Sequence, residues 1–329
     1  MQPEVSTQTL GVAFLGAGDV ADLHAAAVAS CPGASLRGVW HLDPQQGREK
    51  ATSYGCDSYG SAADALADPA VQCVSVLTNL ETHRQFAELA MQAGKHVLVE
   101  KPAGASLEEV ASMQRCARAH GVRCVPVHNY VYEPALERAR ALLDRGDLGR
   151  LVSVHVLYNI HHPEVVAQRY PGVIRQIMTH HAYVLLYLAG LPVAVNAMKA
   201  TINDGTVEQE NLAVATLQLD GGAIATLQAS FAADDHSADP WTFLVKVIGT
   251  DGAARFSYRD WVQNRPAQVH SHTFSAYPFH MERAVHHFLD RCVRRGEAPL
   301  SSMQDAYDAQ RVIEAVEASV REERTIHLS

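Results

Sequence analysis

The stretch KHVLVEKP, residues 95–102, is the part of the sequence that decides the fold. Three apolar residues that end at Glu100, Lys101 and Pro102 predict a short buried parallel strand with two charged side chains at its carboxyl end. In an open α/β sheet, ligands bind at that end of the strands. A lysine there, partly out of water, should have a pKa below its usual value of about 10.4, which suits proton sharing with a substrate oxygen. A solvated ion pair at a strand end is the alternative.

A glycine-rich turn near the amino terminus indicates what kind of ligand this would be. Residues 10–15 are a predicted strand, and the sequence GAGDVA (residues 16–21) follows it and opens a helix that ends near Cys31. This is the G-x-G-x-x-A dinucleotide fingerprint, in which glycines let the backbone approach a pyrophosphate at the positive end of a helix. A second strand, residues 35–40, ends at His41-Leu42-Asp43-Pro44, about where an acidic residue contacts the adenosine ribose. A tight turn that happens to be rich in glycine is the alternative.

Strands and helices alternate along the first half of the chain. Helices are predicted over residues 44–54, 61–66 and 106–120, and strands over residues 71–77 and 122–127, on either side of the Glu-Lys-Pro strand. This spacing predicts a doubly wound parallel sheet.

Composition limits the possible partners. The chain has 329 residues and a net charge of −9, so it has no basic face for nucleic acid. Its start lacks the features of a signal peptide, and no apolar run reaches membrane-spanning length, so we expect a cytoplasmic protein with no membrane partner. The six cysteines are scattered without a C-x-x-C pair and are expected to be reduced.

The pattern of apolar and polar residues changes near Gly149. Residues 151–160 alternate between apolar and polar, and further strands are predicted at about 195–202, 212–219, 223–231, 243–248 and 254–258. Such strands form a largely antiparallel sheet. One of its faces carries Thr216, Gln218, Thr226, Gln228 and Ser230, which predicts either a subunit contact or a solvent-facing surface. Two amphipathic helices, residues 279–294 and 303–322, and a short strand complete the chain.

An apolar helix predicted over residues 176–190 carries one polar stripe. Gln176, His180, Tyr183 and Tyr187 stand at i, i+4, i+7 and i+11 on this helix. Imidazole titrates near neutrality, so His180 is a candidate general base for an alcohol, with a hydrogen-bonded core histidine as the alternative. Neighbouring histidines elsewhere point to different faces, and no metal-binding spacing occurs, so we predict no metal site.

The fingerprint followed by HRQFAELAMQAGKHVLVEKP (residues 83–102) and SLEEV (residues 106–110) resembles the Gfo/Idh/MocA family, named after glucose-fructose oxidoreductase, inositol dehydrogenase and a rhizopine-catabolism protein. The resemblance implies a Rossmann-type domain and a carboxyl-terminal α/β domain with an open-faced sheet. It also implies that His180 exchanges a proton with the substrate hydroxyl, and that these proteins oligomerise through the second sheet. The predicted cofactor-binding positions are Gly16, Gly18, Asp19, Val20, His41, Asp43, Thr78, Asn79, His83, Glu100, Lys101 and Asn129. The predicted substrate-binding positions are Lys101, Tyr158, His162, Arg169, Gln176 and His180.

The sequence departs from the family pattern at three places. Gln176 stands where the family pairs an aspartate with the histidine, so His180 should be a weaker base. His41 stands where the family has the ribose-binding aspartate, so we expect NAD or NADP as the coenzyme. The family's Thr-Pro-Asn is Thr78-Asn79-Leu80 here, which puts the asparagine contact in doubt.

We therefore predict two domains, residues 1–126 and 127–329, with the active site between them. The expected activity is that of an NAD- or NADP-dependent dehydrogenase acting on CH–OH groups. It would move a hydride between nicotinamide and a carbinol or keto carbon of a sugar, cyclitol or related polyol, in a homodimer or homotetramer. Lys101, His180 and Gln176 are the predicted catalytic residues. A redox-assisted glycosidase that retains NAD and a non-catalytic dinucleotide and sugar sensor are the alternatives.

Overall fold

The computed structural model describes residues 9–18, 20–162, 167–168, 170–202, 208–233, 241–257 and 279–328. The chain divides into two compact units. Unit 1 comprises Met1–Asn129 and Pro278–Tyr307, and unit 2 comprises Tyr130–Tyr277 and Asp308–Ser329. Within the described residues, no helix is both long and apolar enough to cross a membrane.

Unit 1 contains a six-stranded parallel sheet. Its strands are β1 (Leu10–Leu15), β2 (Ala34–Trp40), β3 (Asp57–Ser58), β4 (Cys73–Val76), β5 (His96–Val99) and β6 (Cys124–Pro126). They lie in the order β3-β2-β1-β4-β5-β6, and every neighbouring pair is parallel. The order reverses between β1 and β4, which is the position where doubly wound sheets bind ligands. The predicted doubly wound sheet is confirmed.

The helices of unit 1 start and end at residues whose chemistry favours those positions. They are α1 (Ala21–Ser30), α2 (Pro44–Tyr54), α3 (Ala62–Ala67), α4 (Leu80–Gln92) and α5 (Leu107–His120). The side chains of Asp43, Ser61 and Ser106 accept main-chain hydrogen bonds at the starts of α2, α3 and α5. Gly121 ends α5 with a φ of 65°, a conformation that glycine adopts without steric cost.

Residues 279–307 pack with unit 1. Met303 and Ala306 are buried in the same hydrophobic core as Met113 of α5 and Val97 of β5. Helical residues 279–286 continue into a π-helical segment, His287–Arg294, which precedes this contact. The segment 279–307 belongs to unit 1 because its apolar side chains, Met303 and Ala306, complete the hydrophobic core of unit 1. A folding-unit boundary at 126/127 remains a prediction.

Unit 2 is built on a seven-stranded mixed sheet. Its strands are β7 (Leu151–Ile160), β8 (Pro192–Ala200), β9 (Leu212–Leu219), β10 (Ile224–Ser230), β11 (Trp241–Gly249), β12 (Ala253–Ser257) and β13 (Ile326–His327). The order is β12-β11-β7-β10-β9-β8-β13, with β7 and β10 parallel and all other neighbours antiparallel. The helices are α6 (Pro134–Asp144), α7 (Thr179–Ala189) and α8 (Met303–Glu322), of which α8 begins in unit 1, with 3₁₀ turns at Asn129–Tyr132 and Asp220–Gly222. The predicted largely antiparallel sheet is confirmed.

One face of this sheet is apolar and buried, and the other is open. Along β9 the residues alternate, so that Ala213, Ala215, Leu217 and Leu219 are buried. Thr216 of β9 lies opposite Thr226 of β10 on the open face. The predicted polar face is therefore present, except that Ser230 is buried and its Oγ accepts a hydrogen bond from Ala232 N–H.

Candidate active site

The turn between β1 and α1 is shaped by Gly16. Its φ is 98°, and a Cβ atom there would lie 2.5 Å from the carbonyl oxygen of Leu77, so only glycine fits without a shift. Val20 occupies the N-cap of α1 and provides no side-chain oxygen. Ala21 N–H donates to Gly18 O at 3.0 Å and Leu23 N–H to Val20 O at 3.1 Å, so main-chain oxygens cap the start of α1. This arrangement fits a dinucleotide pyrophosphate. Asp19, the other predicted contact here, lies outside the described residues.

At the end of β2, Asp43 Oδ1 and His41 Nδ1 form hydrogen bonds with the backbone. Asp43 Oδ1 accepts from Gln45 N–H at 2.8 Å and so caps α2. His41 Nδ1 lies 3.0 Å from Asp43 N and 3.2 Å from the carbonyl oxygen of Asp43. The protein therefore has an imidazole, which carries no negative charge, where the family has a carboxylate.

The loop after β4 is held by His83 of α4. The ring of His83 is buried, with Nδ1 2.9 Å from the carbonyl oxygen of Pro102 and Nε2 3.0 Å from that of Thr78. His83 thus ties the loop after β4 to the turn after β5. Thr82 Oγ1 donates to Thr78 Oγ1 at 2.8 Å, while Asn79 is exposed and its side chain does not cap α4.

Glu100, at the end of β5, is buried and makes hydrogen bonds through both carboxylate oxygens. His24 Nε2–H donates to Oε1 at 2.9 Å, and the main-chain N–H of Lys101 donates to Oε2 at 3.1 Å. Burial alone would raise the pKa of Glu100, but the hydrogen bond and charge of His24, together with Lys101, lower it. Glu100 is therefore an anion at neutral pH.

Lys101 follows at the edge of the sheet where all six parallel strands end. Burial lowers the pKa of its ammonium group to about 8, and the neighbouring Glu100 carboxylate acts in the opposite direction. This value lies near neutrality, where a proton donor or acceptor is most effective. The pKa of Lys101 is lowered in the direction that the sequence predicted. Glu100 is buried and Lys101 is partly buried, so the two side chains are not a fully solvated pair.

His128 and Asn129 follow β6 at the same edge, and both are buried. His128 Nδ1 lies 2.6 Å from Ser301 Oγ. Burial, aided by the positive charge of Lys101, lowers the pKa of His128 to about 3, so its ring is neutral. Unit 1 therefore brings residues 16–18, 41, 78, 100–101 and 128–129 to one edge of its sheet.

In unit 2, His180 lies on α7 inside an aromatic cluster. Its Nδ1 is 2.6 Å from Tyr183 Oη, and both side chains are buried. The ring of Tyr158 is nearly parallel to the imidazole, with centroids 6.4 Å apart, and the ring of Tyr130 stands edge-on at 5.0 Å. The structure therefore brings together His180 and Tyr158, two of the predicted substrate-binding residues.

Gln176 lies on a π-helical turn, Ile174–Met178, which precedes α7. The predicted helix over 176–190 therefore does not begin as an α-helix. Glu210 stabilises the start of this turn, because its Oε1 accepts from Ile174 N–H at 3.3 Å and its carbonyl oxygen accepts from Val173 N–H at 3.1 Å. Arg175 adds a bidentate ion pair with Glu317 at 2.6 and 2.7 Å. Single-turn π insertions occur frequently at functional sites.

His162 and His181 belong to different surroundings. The ring of His162 packs against Tyr170 and Phe231, and burial, together with His161, lowers its pKa to about 4. His181 is fully buried, and burial lowers its pKa to about 3, which leaves it neutral. Arg169, the remaining predicted substrate-binding residue, lies outside the described residues.

The sequence placed Tyr183 on the same helix stripe as His180, but the hydrogen bond between them was not predicted. His24 gives no comparable signal, because its partner Glu100 is 76 residues away and only the sheet order brings them together.

Comparison with known proteins agrees with a dinucleotide-binding first unit followed by a second domain. Residues 10–128 match the family model for the Gfo/Idh/MocA oxidoreductases with an NAD-binding Rossmann fold, and residues 136–255 match the carboxyl-terminal domain of the same family. D-apiose dehydrogenase of Paraburkholderia graminis is 24% identical over 336 residues, which cover 96% of this chain and 89% of the relative. Inositol 2-dehydrogenase of Burkholderia lata is 30% identical over 188 residues, which cover 55% of each chain.

The solved structures give the same fold. A putative myo-inositol dehydrogenase from Sinorhizobium meliloti 1021 matches with a TM-score of 0.88 at 23% identity, covering 98% of this chain and 100% of that one. The two family-model matches agree with the sheet order of unit 1 and with the Glu-Lys-Pro turn after β5. The chain belongs to the Gfo/Idh/MocA family of NAD-binding oxidoreductases.

Proposed function

We propose that this protein is an NAD- or NADP-dependent dehydrogenase that acts on a secondary hydroxyl group of a sugar, cyclitol or related polyol. The observation that carries the proposal is the turn after β5, where a buried Glu100 anion adjoins Lys101 with a pKa of about 8. The relatives named D-apiose dehydrogenase and inositol 2-dehydrogenase support this substrate class. They also favour it over a redox-assisted glycosidase or a sensor.

In the oxidation of a substrate hydroxyl group, His180, Lys101 and Gln176 would each have a different role. Bound NAD or NADP supplies the hydride acceptor. His180 takes the proton of the substrate hydroxyl as the hydrogen on the same carbon leaves as hydride. Protonated Lys101 donates a hydrogen bond to the oxygen as it becomes a carbonyl. Gln176 helps to orient the imidazole or the substrate, since an amide can form hydrogen bonds but carries no charge.

The substrate would be held by Lys101, His180 and Gln176, with Tyr158, His162 and Arg169 as further contacts. The adenosine end of the coenzyme would meet His41, whose imidazole carries no negative charge and does not repel a 2′-phosphate. We therefore include both coenzymes in the proposal.

We further propose that the open face of the second sheet is a subunit contact in a homodimer or homotetramer. Strands β9 and β10 carry no charged residue, and Val214 and Ile224 on this face are 39% and 40% exposed. An uncharged, partly apolar patch such as the one formed by β9 and β10 is typical of a protein contact. A cytoplasmic location is also proposed, supported by six cysteines that are all free.

The proposed function is tested by a two-step screen. NAD and NADP are first compared for thermal stabilisation of the protein, and polyols and keto-sugars are then supplied while the nicotinamide absorbance is followed. Reduction of coenzyme by a polyol, or oxidation of reduced coenzyme by a keto-sugar, is the expected result. Coenzyme binding without turnover in either direction would contradict the proposal.

A further inference from the structure

The hydrogen bond between His180 and Tyr183 is well placed to control proton transfer. The two residues are three positions apart on α7, and their Nδ1 and Oη atoms are 2.6 Å apart. His180 is 3% exposed and Tyr183 is 1% exposed. A hydrogen bond shielded from water in this way is stronger than an exposed one and fixes the orientation of its partners.

The main chain holds the Tyr183 phenol in turn. Tyr130 N–H donates to Tyr183 Oη at 3.4 Å. The rings of Tyr130 and Tyr183 are stacked with centroids 6.5 Å apart, so the phenol has little freedom to move away. The oxygen is thereby kept beside His180 Nδ1.

The position of the proton on the His180 imidazole determines the role of Tyr183 Oη. If His180 takes a substrate proton at Nε2, Nδ1 must already carry a hydrogen, because a neutral imidazole has one donor and one acceptor nitrogen. Tyr183 Oη then accepts from His180 Nδ1–H as well as from Tyr130 N–H, which uses both of its lone pairs. A phenol oxygen can stabilise the resulting imidazolium through its dipole but not through a full charge.

We infer that Tyr183 is the positioning residue that holds His180 in the base-competent tautomer, in a chain that has Gln176 where the family has a carboxylate. The inference rests on the proposed function and deepens it. Tyr183 acts through His180, and no contact with the substrate is required of it.

The test replaces Tyr183 with Phe in the full-length protein, using a substrate found in the screen. We expect kcat to fall about tenfold or more while the KM for coenzyme stays the same. The acidic limb of the kcat profile should move to lower pH, because an imidazole whose Nδ1–H has lost the Tyr183 oxygen as acceptor holds its second proton less tightly. Tyr187→Phe is the matched control, because Tyr187 lies one turn later on the same helix and its hydroxyl makes no hydrogen bond to a described residue. It should change neither kcat nor the profile.

A spectroscopic measurement separates positioning from packing. In ¹⁵N-histidine spectra, the His180 Nδ1 signal is assigned by its loss in His180→Asn, and it should shift in Tyr183→Phe but not in Tyr187→Phe. If Tyr183→Phe does not fold, 3-fluorotyrosine at position 183 keeps the hydroxyl but makes it a weaker acceptor, and the limb should move in the same direction.

Unchanged kcat, pH profile and Nδ1 signal in a folded Tyr183→Phe protein would overturn the inference. Absence of turnover in the wild-type protein would instead contradict the proposed function. The Nδ1 signal would still report whether Tyr183 engages His180.

Discussion

His24 on α1 donates a hydrogen bond from Nε2 to Oε1 of Glu100, 2.9 Å away at the end of β5. The helix that follows the glycine-rich turn of the fingerprint is thereby joined to the turn that carries Lys101. The second carboxylate oxygen of Glu100 accepts from Lys101 N–H, so the anion is fixed on both sides. The position of this charge sets how readily Lys101 keeps its proton.

Replacing Glu100 with Gln should move the alkaline limb of the activity profile. The Glu100 charge raises the pKa of Lys101 against the effect of burial, so without it this pKa should fall below about 8. Protonated Lys101 is the form that donates to the substrate oxygen, so activity should be lost at a lower pH than in the wild type. The measurement is kcat against pH in both proteins. Glu108→Gln, which removes an exposed partner of Arg115, should leave the limb in place. An unmoved limb in Glu100→Gln would contradict the assigned role of Lys101.

Replacing Gly16 with Ala should destabilise the turn before α1. The positive φ and the approach of a Cβ to Leu77 O together should cost about 2 kcal/mol or more. Tm should fall by several degrees and coenzyme binding should weaken. Gly18→Ala is the matched control for Tm, because the nearest atom to its Cβ, Leu77 O, is 4.0 Å away. Equal Tm values for the two variants would show that the turn tolerates a side chain at Gly16.

Replacing His41 with Asp should make the protein prefer NAD. A carboxylate there would accept from the ribose hydroxyls and repel a 2′-phosphate, so the affinity ratio of NAD to NADP should rise about tenfold. Fluorescence titration with each coenzyme measures this ratio. Leu42→Asp adds the same charge at the neighbouring residue, which is 84% exposed, and should change the ratio less. An unchanged ratio in His41→Asp would place the adenosine ribose elsewhere.

Replacing Val214 with Arg should weaken the proposed subunit contact. The new charge would stand among uncharged residues of β9 and β10 on the open face and would lose water on association. Light scattering coupled to size-exclusion chromatography should show a smaller assembly than in the wild type. Leu42→Arg, at an exposed position in unit 1, serves as the control. A wild-type mass that already equals one chain, or no change in Val214→Arg, would reject this contact.

The parts of the fold that sequence predicted well are those fixed by neighbours along the chain. Pro44 and the Asp43 carboxylate determine where α2 begins, and α5 has bounds that follow from Ser106 and Gly121 in the same way. The lowered pKa of Lys101 was also predictable, because an apolar strand that ends in a charged residue brings that residue out of water.

The parts that sequence could not predict depend on contacts between distant residues. The π-helical turn is held by Glu210 and by the Arg175–Glu317 ion pair, whose members are 142 residues apart. The assignment of 279–307 to unit 1 follows from the burial of Met303 in the core of unit 1. Such contacts leave no local pattern in the sequence.

The most direct test of the central claim measures coenzyme binding and turnover together in the wild type and in Lys101→Met. Methionine keeps the length of the side chain but cannot donate a hydrogen bond to the substrate oxygen. We predict nearly unchanged coenzyme affinity and a fall in turnover of about a hundredfold or more. Turnover at the wild-type rate in Lys101→Met would contradict the account.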